Sequence, residues 1–196
     1  MADGDAFVDF VPDWLPDPPA TVLDAGCGDG RLTRRLRELG YDAEGLDPRA
    51  PEGEGFTRGS LEELDRPGAF DAVVAARSLH HLHDPPLAIA RLCDSIRAGG
   101  TLIVAEFAVE DYGPESNAWL AKQGLDPMLD DHAHAHLVRL AELRRLIDER
   151  LREVRAERIP YLAVEYKRLD LLDAETAAIA AGELPAIGAR LLYERV

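Results

Sequence analysis

Apolar and polar positions alternate between strand and helix patterns over the first hundred residues. "TVLDA" at 21–25 is a short apolar run of buried-strand type, and "RLTRRLREL" after it sets Leu32, Leu36 and Leu39 along one helical stripe. Gly40 stops that helix, and "DAEGLD" at 42–47 gives a second strand ending at Asp47, where Pro48 blocks a continued ladder. A weak third strand falls near Phe56 and Thr57. "FDAVVAA" at 70–76 is the clearest interior strand, because continuous small and β-branched residues suit a strand covered on both faces. Residues 85–97 read as a helix with proline at its start, ended by Gly99 and Gly100, and "TLIVAEF" at 101–107 supplies a fifth strand.

Residues 108–133 break the alternation. Gly113, Pro114, Gly124 and Pro127 punctuate an irregular stretch that also holds Trp119, Leu120, Leu125, Met128 and Leu129, the composition of a lid over a pocket. A long helix carrying Leu137, Leu140, Leu143, Ile147 and Leu151 follows. "VRAERI", a short helix at 174–181 and "ARLLYERV" as the closing strand complete the chain. The pattern predicts a doubly wound α/β fold: three α/β/α layers around a seven-stranded, mostly parallel sheet with an antiparallel final strand. Residues 1–19, rich in proline and acid, read as a lead-in, and 20–196 as one domain with 108–133 as its lid insertion.

Composition narrows the partners. The chain of 196 residues is 46% hydrophobic and 30% charged, as in an ordinary globular domain, but its formal net charge is -15. Such a surface repels nucleic-acid phosphates, and no Lys/Arg block interrupts it. No apolar run approaches a membrane span, and no signal-like leader is visible, so the expected location is cytoplasmic. Cys27 and Cys93 have neither metal nor CxxC spacing and read as reduced, buried thiols.

The chemistry concentrates in "VLDAGCGDGRLTRRL" at 22–36, where Gly26, Gly28 and Gly30 alternate with other residues between a strand and a helix. Glycines there let the backbone turn tightly and approach a ligand closely. The loop lacks the lysine of a Walker phosphate loop and the third glycine of a dinucleotide fingerprint, and Asp29 would face a pyrophosphate. Carboxylates at Asp24 and Asp29 suit a ligand with positive charge, and Asp47 at the end of the second strand suits two ribose hydroxyls. In an open α/β sheet, Asp24, Asp47, Ala76 and Glu106 share the crevice at the strand ends.

Four segments in order resemble the class I S-adenosylmethionine-dependent methyltransferases, small-molecule branch: "VLDAGCGDGRLTRRL", "GLDP" at 45–48, "FDAVVAARSLHHLHD" at 70–84 and "IRAGGTLIVAEF" at 96–107. The resemblance is dense over 20–107 and implies their Rossmann-like fold, with S-adenosylmethionine as cofactor. It places Gly26, Cys27 and Gly28 against the methionine part, oriented by Asp24, and Asp47 on the ribose. Leu46 or Pro48 would pack on the adenine, Ser60 and Leu61 would meet its edge, and Ala76 and Arg77 would line the methionine side. Many relatives have Asp where this chain has Ser60, which weakens one expected hydrogen bond.

Methyl transfer needs alignment above all, and a hydroxyl or carbon acid also needs a base. "SLHHLHD" supplies His80, His81 and His83 after the fourth strand, and His81, with His80 next, is the candidate base; the pair could equally pack and cap its turn. His132, His134 and His136 with Asp130 and Asp131 invite a metal reading, but alternate residues do not share a helix face, so no metal is expected. The expected function is methyl transfer to a small O, N or C acceptor by a monomer or homodimer. A protein methyltransferase, or an inactive cofactor-binding protein of the same fold, is the alternative.

Overall fold

In the computed structural model, residues 10–129 and 136–196 are described. The strands are β1 (Thr21–Ala25), β2 (Asp42–Leu46), β3 (Phe56–Thr57), β4 (Phe70–Ala76), β5 (Ile96–Phe107), β6 (Arg152–Ile159) and β7 (Gly188–Glu194). They form one sheet of order β3-β2-β1-β4-β5-β7-β6. β1 to β5 run parallel, and β7 lies antiparallel between β5 and β6. The predicted doubly wound sheet with its antiparallel last strand is what the chain adopts.

The helices are α1 (Val11–Trp14), α2 (Arg31–Glu38), α3 (Pro85–Ser95), α4 (Pro114–Lys122), α5 (Leu140–Asp148), α6 (Leu162–Glu165) and α7 (Leu172–Ala180). They cover both faces, so successive strand residues enter opposite halves of the core. Leu23, Val73, Leu102 and Val104 pack with Ile89 and Leu92 of α3 and Leu143 and Ile147 of α5. Val22, Val74 and Ile103 pack with Leu36 of α2, Trp119 and Leu120 of α4, and Leu162 of α6. Burial of both faces explains the unbroken apolar runs of β4 and β5.

Three elements differ from the expectation. The third helix ends at Ser95, and β5 begins at once: Ile96 pairs with Phe70 before the register shifts and resumes at Ala72 and Thr101. Gly99 and Gly100 therefore lie within the span of β5. Gly99 takes a positive φ of 73°, and a Cβ at Gly100 would stand 2.7 Å from the Asp71 carbonyl oxygen. The helix end is finished from afar, as Arg195 Nη1 donates to the Cys93 and Asp94 carbonyls at 3.0 and 2.8 Å.

The irregular stretch after β5 contains α4, a regular helix with Pro114 in its first turn. Its punctuating glycines and prolines bound the helix instead of disordering it. The long helix is shorter than its apolar stripe: α5 starts at Leu140, where Glu110 accepts the Leu140 and Ala141 N–H groups at 2.9 and 2.8 Å. Leu137 and Leu151 flank it. His132 and His134, with Asp130 and Asp131, lie outside the described residues. His136 is exposed, and no group of acidic, His or Cys residues that could hold a metal ion occurs among the described residues.

Candidate functional site

The sheet order reverses between β1 and β4, so the loops after β1, β2, β4 and β5 meet at one edge, where α/β sheets take their ligands. These loops are stitched to one another. Gly26 and Cys27 N–H groups donate to the Leu46 carbonyl at 2.7 and 3.2 Å. Ser78 Oγ donates to the Ala25 carbonyl at 2.9 Å, and Arg77 N–H to the Ala105 carbonyl at 2.8 Å.

Two glycines of the first loop do different work. Gly26 has φ 83°, and a Cβ there would sit 2.2 Å from Ser78 Cβ, so this glycine lets the β4 loop close against the β1 loop. Gly28 has φ 53°, and a Cβ there would meet nothing within 4 Å. Bare backbone thus borders open space at Gly28. Its N–H donates to Asp47 Oδ2 at 3.1 Å, while Arg49 N–H donates to Oδ1 at 2.7 Å. An ionised carboxylate offers about four acceptor positions, so Asp47 keeps capacity for further donors.

Asp24 is 2% exposed, and Thr33 Oγ1 of α2 donates to its Oδ2 at 2.6 Å. Burial raises its pKa to about 6, against the pull of Thr33, with Asp47 and Asp29 adding repulsion. Burial likewise pushes the Cys27 thiol up to about 12, with Asp24 adding to it, which favours the protonated thiol.

The other expected residues fall nearby with varied surroundings. Leu46 and Leu61 are buried in the α3/α5 half of the core, and Pro48 is exposed just past β2. Ser60 caps the 3-10 turn Leu61–Glu63, its N–H donating to Glu63 Oε2 at 2.9 Å. Ala76 ends β4 half-buried. Arg77 takes φ 53°, unusual for a residue with a side chain, and its Nη1 lies 3.3 Å from Glu165 Oε2 of α6.

Beyond Arg77 the two candidate histidines part company. They lie in a 3-10 turn, Leu79–His81, with His80 buried and His81 exposed. His80 Nδ1 is 2.5 Å from Oε1 of Glu106, a fully buried carboxylate that also accepts Phe107 N–H at Oε1 and Leu79 N–H at Oε2, both at 2.9 Å. Burial alone would lower the His80 pKa, but the charge and hydrogen bond of Glu106 outweigh it and raise it. His81, its ring centroid 4.0 Å from that of His80, is exposed as a residue, but partial desolvation of its ring and the neighbouring charge of His80 lower its pKa.

α6 forms the facing wall. Tyr161 stacks on Phe107 with ring centroids 5.0 Å apart, and its Oη donates to Glu165 Oε2 at 3.1 Å. Glu175 of α7 is wholly buried and accepts the Tyr161, Leu162 and Ala163 N–H groups at 2.7, 2.9 and 2.7 Å, fixing this wall. The sequence pattern singles out neither Glu165 nor Glu175. An isolated glutamate in a helical pattern carries no sign of such long-range bonding.

The donor set fits the ligand implied by the motifs. Gly28 leaves room for close approach, Asp47 has unfilled acceptor positions, and Asp24 is a buried carboxylate lacking a cationic partner among the described residues. A ribose and a cationic amino-acid portion match these groups, and a pyrophosphate does not.

Known proteins agree. A family model described as a methyltransferase domain matches residues 5–150. A ubiquinone biosynthesis O-methyltransferase of Xanthomonas campestris is 36% identical over 141 residues, covering 60% of this chain and 58% of that protein. An uncharacterized methyltransferase of Bacillus cytotoxicus is 26% identical over 142 residues, covering 65% and 67%. The chain thus spans less than two thirds of the length of the first of these relatives. Among solved structures, an S-adenosylmethionine-dependent methyltransferase of Mesorhizobium loti superposes with a TM-score of 0.66 at 18% identity, covering 98% of this chain and 99% of that one. The chain belongs to the class I S-adenosylmethionine-dependent methyltransferase family, with S-adenosylmethionine as its cofactor.

Proposed function

We propose that the protein transfers the methyl group of S-adenosylmethionine to a small organic acceptor. One observation carries this reading furthest. Gly28 presents open backbone, and its N–H is bonded to Asp47, a strand-end carboxylate with acceptor capacity to spare. Asp47 would take the ribose hydroxyls, and Gly26, Cys27 and Gly28 would border the methionine portion with Asp24 oriented toward its ammonium group. Ala76 and Arg77 would line the same portion through their backbone. Leu46 and Pro48 would flank the adenine, with Ser60 and Leu61 at its edge.

When bound, S-adenosylmethionine supplies a sulfonium methyl whose leaving group is a neutral thioether. The chain's part would be alignment: the α6 wall with Tyr161 and Glu165, and the 3-10 turn with His80 and His81, would border an acceptor placed beside Arg77. Holding two reactants in line is worth about 7–11 kcal/mol at best. The segment 108–133, which includes α4, would cover that space from one side. The name of the Xanthomonas relative favours an oxygen acceptor.

The test is calorimetry with S-adenosylmethionine, S-adenosylhomocysteine and NAD. The first two should bind at micromolar affinity, about -8 kcal/mol at 1 μM, and NAD far more weakly. Absence of binding by either sulfur compound removes the reading.

A further inference from the structure

We infer that His80 and Glu106 form a proton-accepting pair in which Glu106 positions His80, and that the acceptor is a molecule carrying an ionisable hydroxyl. This rests on the methyltransfer reading and specifies the acceptor chemistry of that site.

The geometry sets the tautomer. Leu79 N–H donates to Glu106 Oε2 and Phe107 N–H to Oε1, and His80 Nδ1 lies 2.5 Å from Oε1. As a carboxylate, Glu106 only accepts, so Nδ1 carries the hydrogen and the neutral ring keeps its lone pair on Nε2. Nε2 has no hydrogen-bond partner among the described residues. The ring is otherwise held in place. It lies edge-on to Phe107 at 6.0 Å, and the His80 carbonyl accepts Val138 N–H at 2.9 Å.

A buried histidine fixed by a fully buried carboxylate is an expensive way to cap a turn. Leu79 and Phe107 N–H groups need an acceptor, but a Glu–His pair adds nothing to that role. What it adds is an imidazole whose charged form is stabilised beside a carboxylate, at the strand edge where the acceptor would lie. His81 offers no such support: it is exposed, and no hydrogen bond holds its ring among the described residues.

His80 Nε2 takes the hydroxyl proton of the acceptor while an oxygen lone pair forms the bond to the methyl carbon. The carbon–sulfur bond of the bound donor would break, its electron pair staying on sulfur. One positive charge leaves sulfur, and one appears on the imidazolium facing Glu106. An amine with a free lone pair has no need of this before attack. The charged groups acting on His80 are Glu106 of β5, Glu165 of α6 and Arg77 beyond β4, with His81 beside it in the same turn. Burial works against its protonation, Glu106 and Glu165 favour it, and Arg77 opposes it.

The first experiment uses nitrogen NMR of the imidazoles across pH, with S-adenosylhomocysteine bound and without it. Neutral His80 should be the Nδ1–H tautomer, with a midpoint above that of His81, and Glu106→Gln should lower the His80 midpoint by about 1–3 pH units. An Nε2–H tautomer, or a His80 midpoint at or below that of His81, overturns the pair whatever the cofactor result. Failure of S-adenosylhomocysteine to bind in calorimetry removes the methyltransfer reading instead, so the two failures stay distinct.

The second experiment follows S-adenosylhomocysteine release with phenol, catechol and aniline acceptors. His80→Gln should slow turnover of the hydroxyl acceptors about 10²–10⁴-fold, with S-adenosylhomocysteine affinity within twofold of the original. Glu106→Gln should move the acid limb of kcat/KM to lower pH, a change that a purely structural role would not cause. Methylation of aniline but neither phenol, or a larger loss in His81→Gln than in His80→Gln, overturns the assignment.

Discussion

Asp24→Asn isolates the most costly charge in the cofactor loop. Asp24 is 2% exposed, and among the described residues only Thr33 donates hydrogen bonds to it. Its pKa stands near 6, against the carboxylate reference of 3.8, because burial disfavours the anion more than Thr33 favours it. Below the unfolded pKa both states are protonated, and the group contributes nothing. Between the two values the native state holds a proton that the unfolded chain has lost, so stability falls as pH rises. Above the folded value both are ionised, and the native state carries a fixed penalty of ~3 kcal/mol, from about two pH units at about 1.4 kcal/mol each.

Asparagine keeps an oxygen for Thr33 and cannot ionise. Urea unfolding of the two proteins at pH 4 and pH 7.5 should therefore give a stability difference that shifts toward the variant by up to ~3 kcal/mol. Subtracting one protein from the other removes the titration of every remaining group. Ligand binding should move the opposite way: an ammonium group beside Asp24 stabilises the anion, so the variant should gain stability and lose S-adenosylhomocysteine affinity. A stability difference flat with pH, or one that shifts toward the original protein, would refute the burial argument.

Gly28→Ala should cost only the ~1–2 kcal/mol of its left-handed backbone, since its Cβ meets no protein atom, yet weaken S-adenosylhomocysteine at least tenfold; Gly26→Ala, colliding with Ser78, should fail to fold stably. Calorimetry and thermal melts check both, and an undiminished affinity in Gly28→Ala removes that backbone from the ligand surface. Asp47→Asn should weaken the same ligand at least tenfold, because bonds to a charged acceptor are worth about 1.5–3 kcal/mol each. Unchanged affinity in a folded variant would show that Asp47 does not hold the ribose. Glu175→Gln should leave at least one of the Tyr161, Leu162 and Ala163 N–H groups unpaired, costing ~1–3 kcal/mol and speeding amide exchange at 161–163. Unaltered exchange there would deny Glu175 its role in fixing the α6 wall.

The sheet was legible because every cue for it was local. Unbroken apolar runs in β4 and β5 report burial on both faces, and the glycines between β1 and α2 report positive φ values that other residues resist. What escaped was set across distance. The start of α5 depends on Glu110, 30 positions before Leu140, and the end of α3 on Arg195, 101 positions beyond Asp94. The histidines show the same limit at closer range. Their turn has no periodicity from which to read which ring points inward, and a 3-10 geometry turns His80 in and His81 out.

Asp24 and Glu106 together show how one sheet edge can hold two kinds of buried acid. Both lie near the carboxyl ends of central strands, and both are almost wholly sealed from solvent. Glu106 is surrounded by donors from Leu79, His80 and Phe107. A carboxylate so satisfied is a fixed part, suited to steering a neighbour. Asp24 has only Thr33 as a donor among the described residues, so burial raises its proton affinity, and Asp47 and Asp29 add repulsion. A positively charged ligand relieves that repulsion and so binds with energy already stored in the free protein. The proposed transfer would use both: Asp24 to hold the cationic donor, and Glu106 to support the positive charge that appears on His80 as the charge on sulfur is lost.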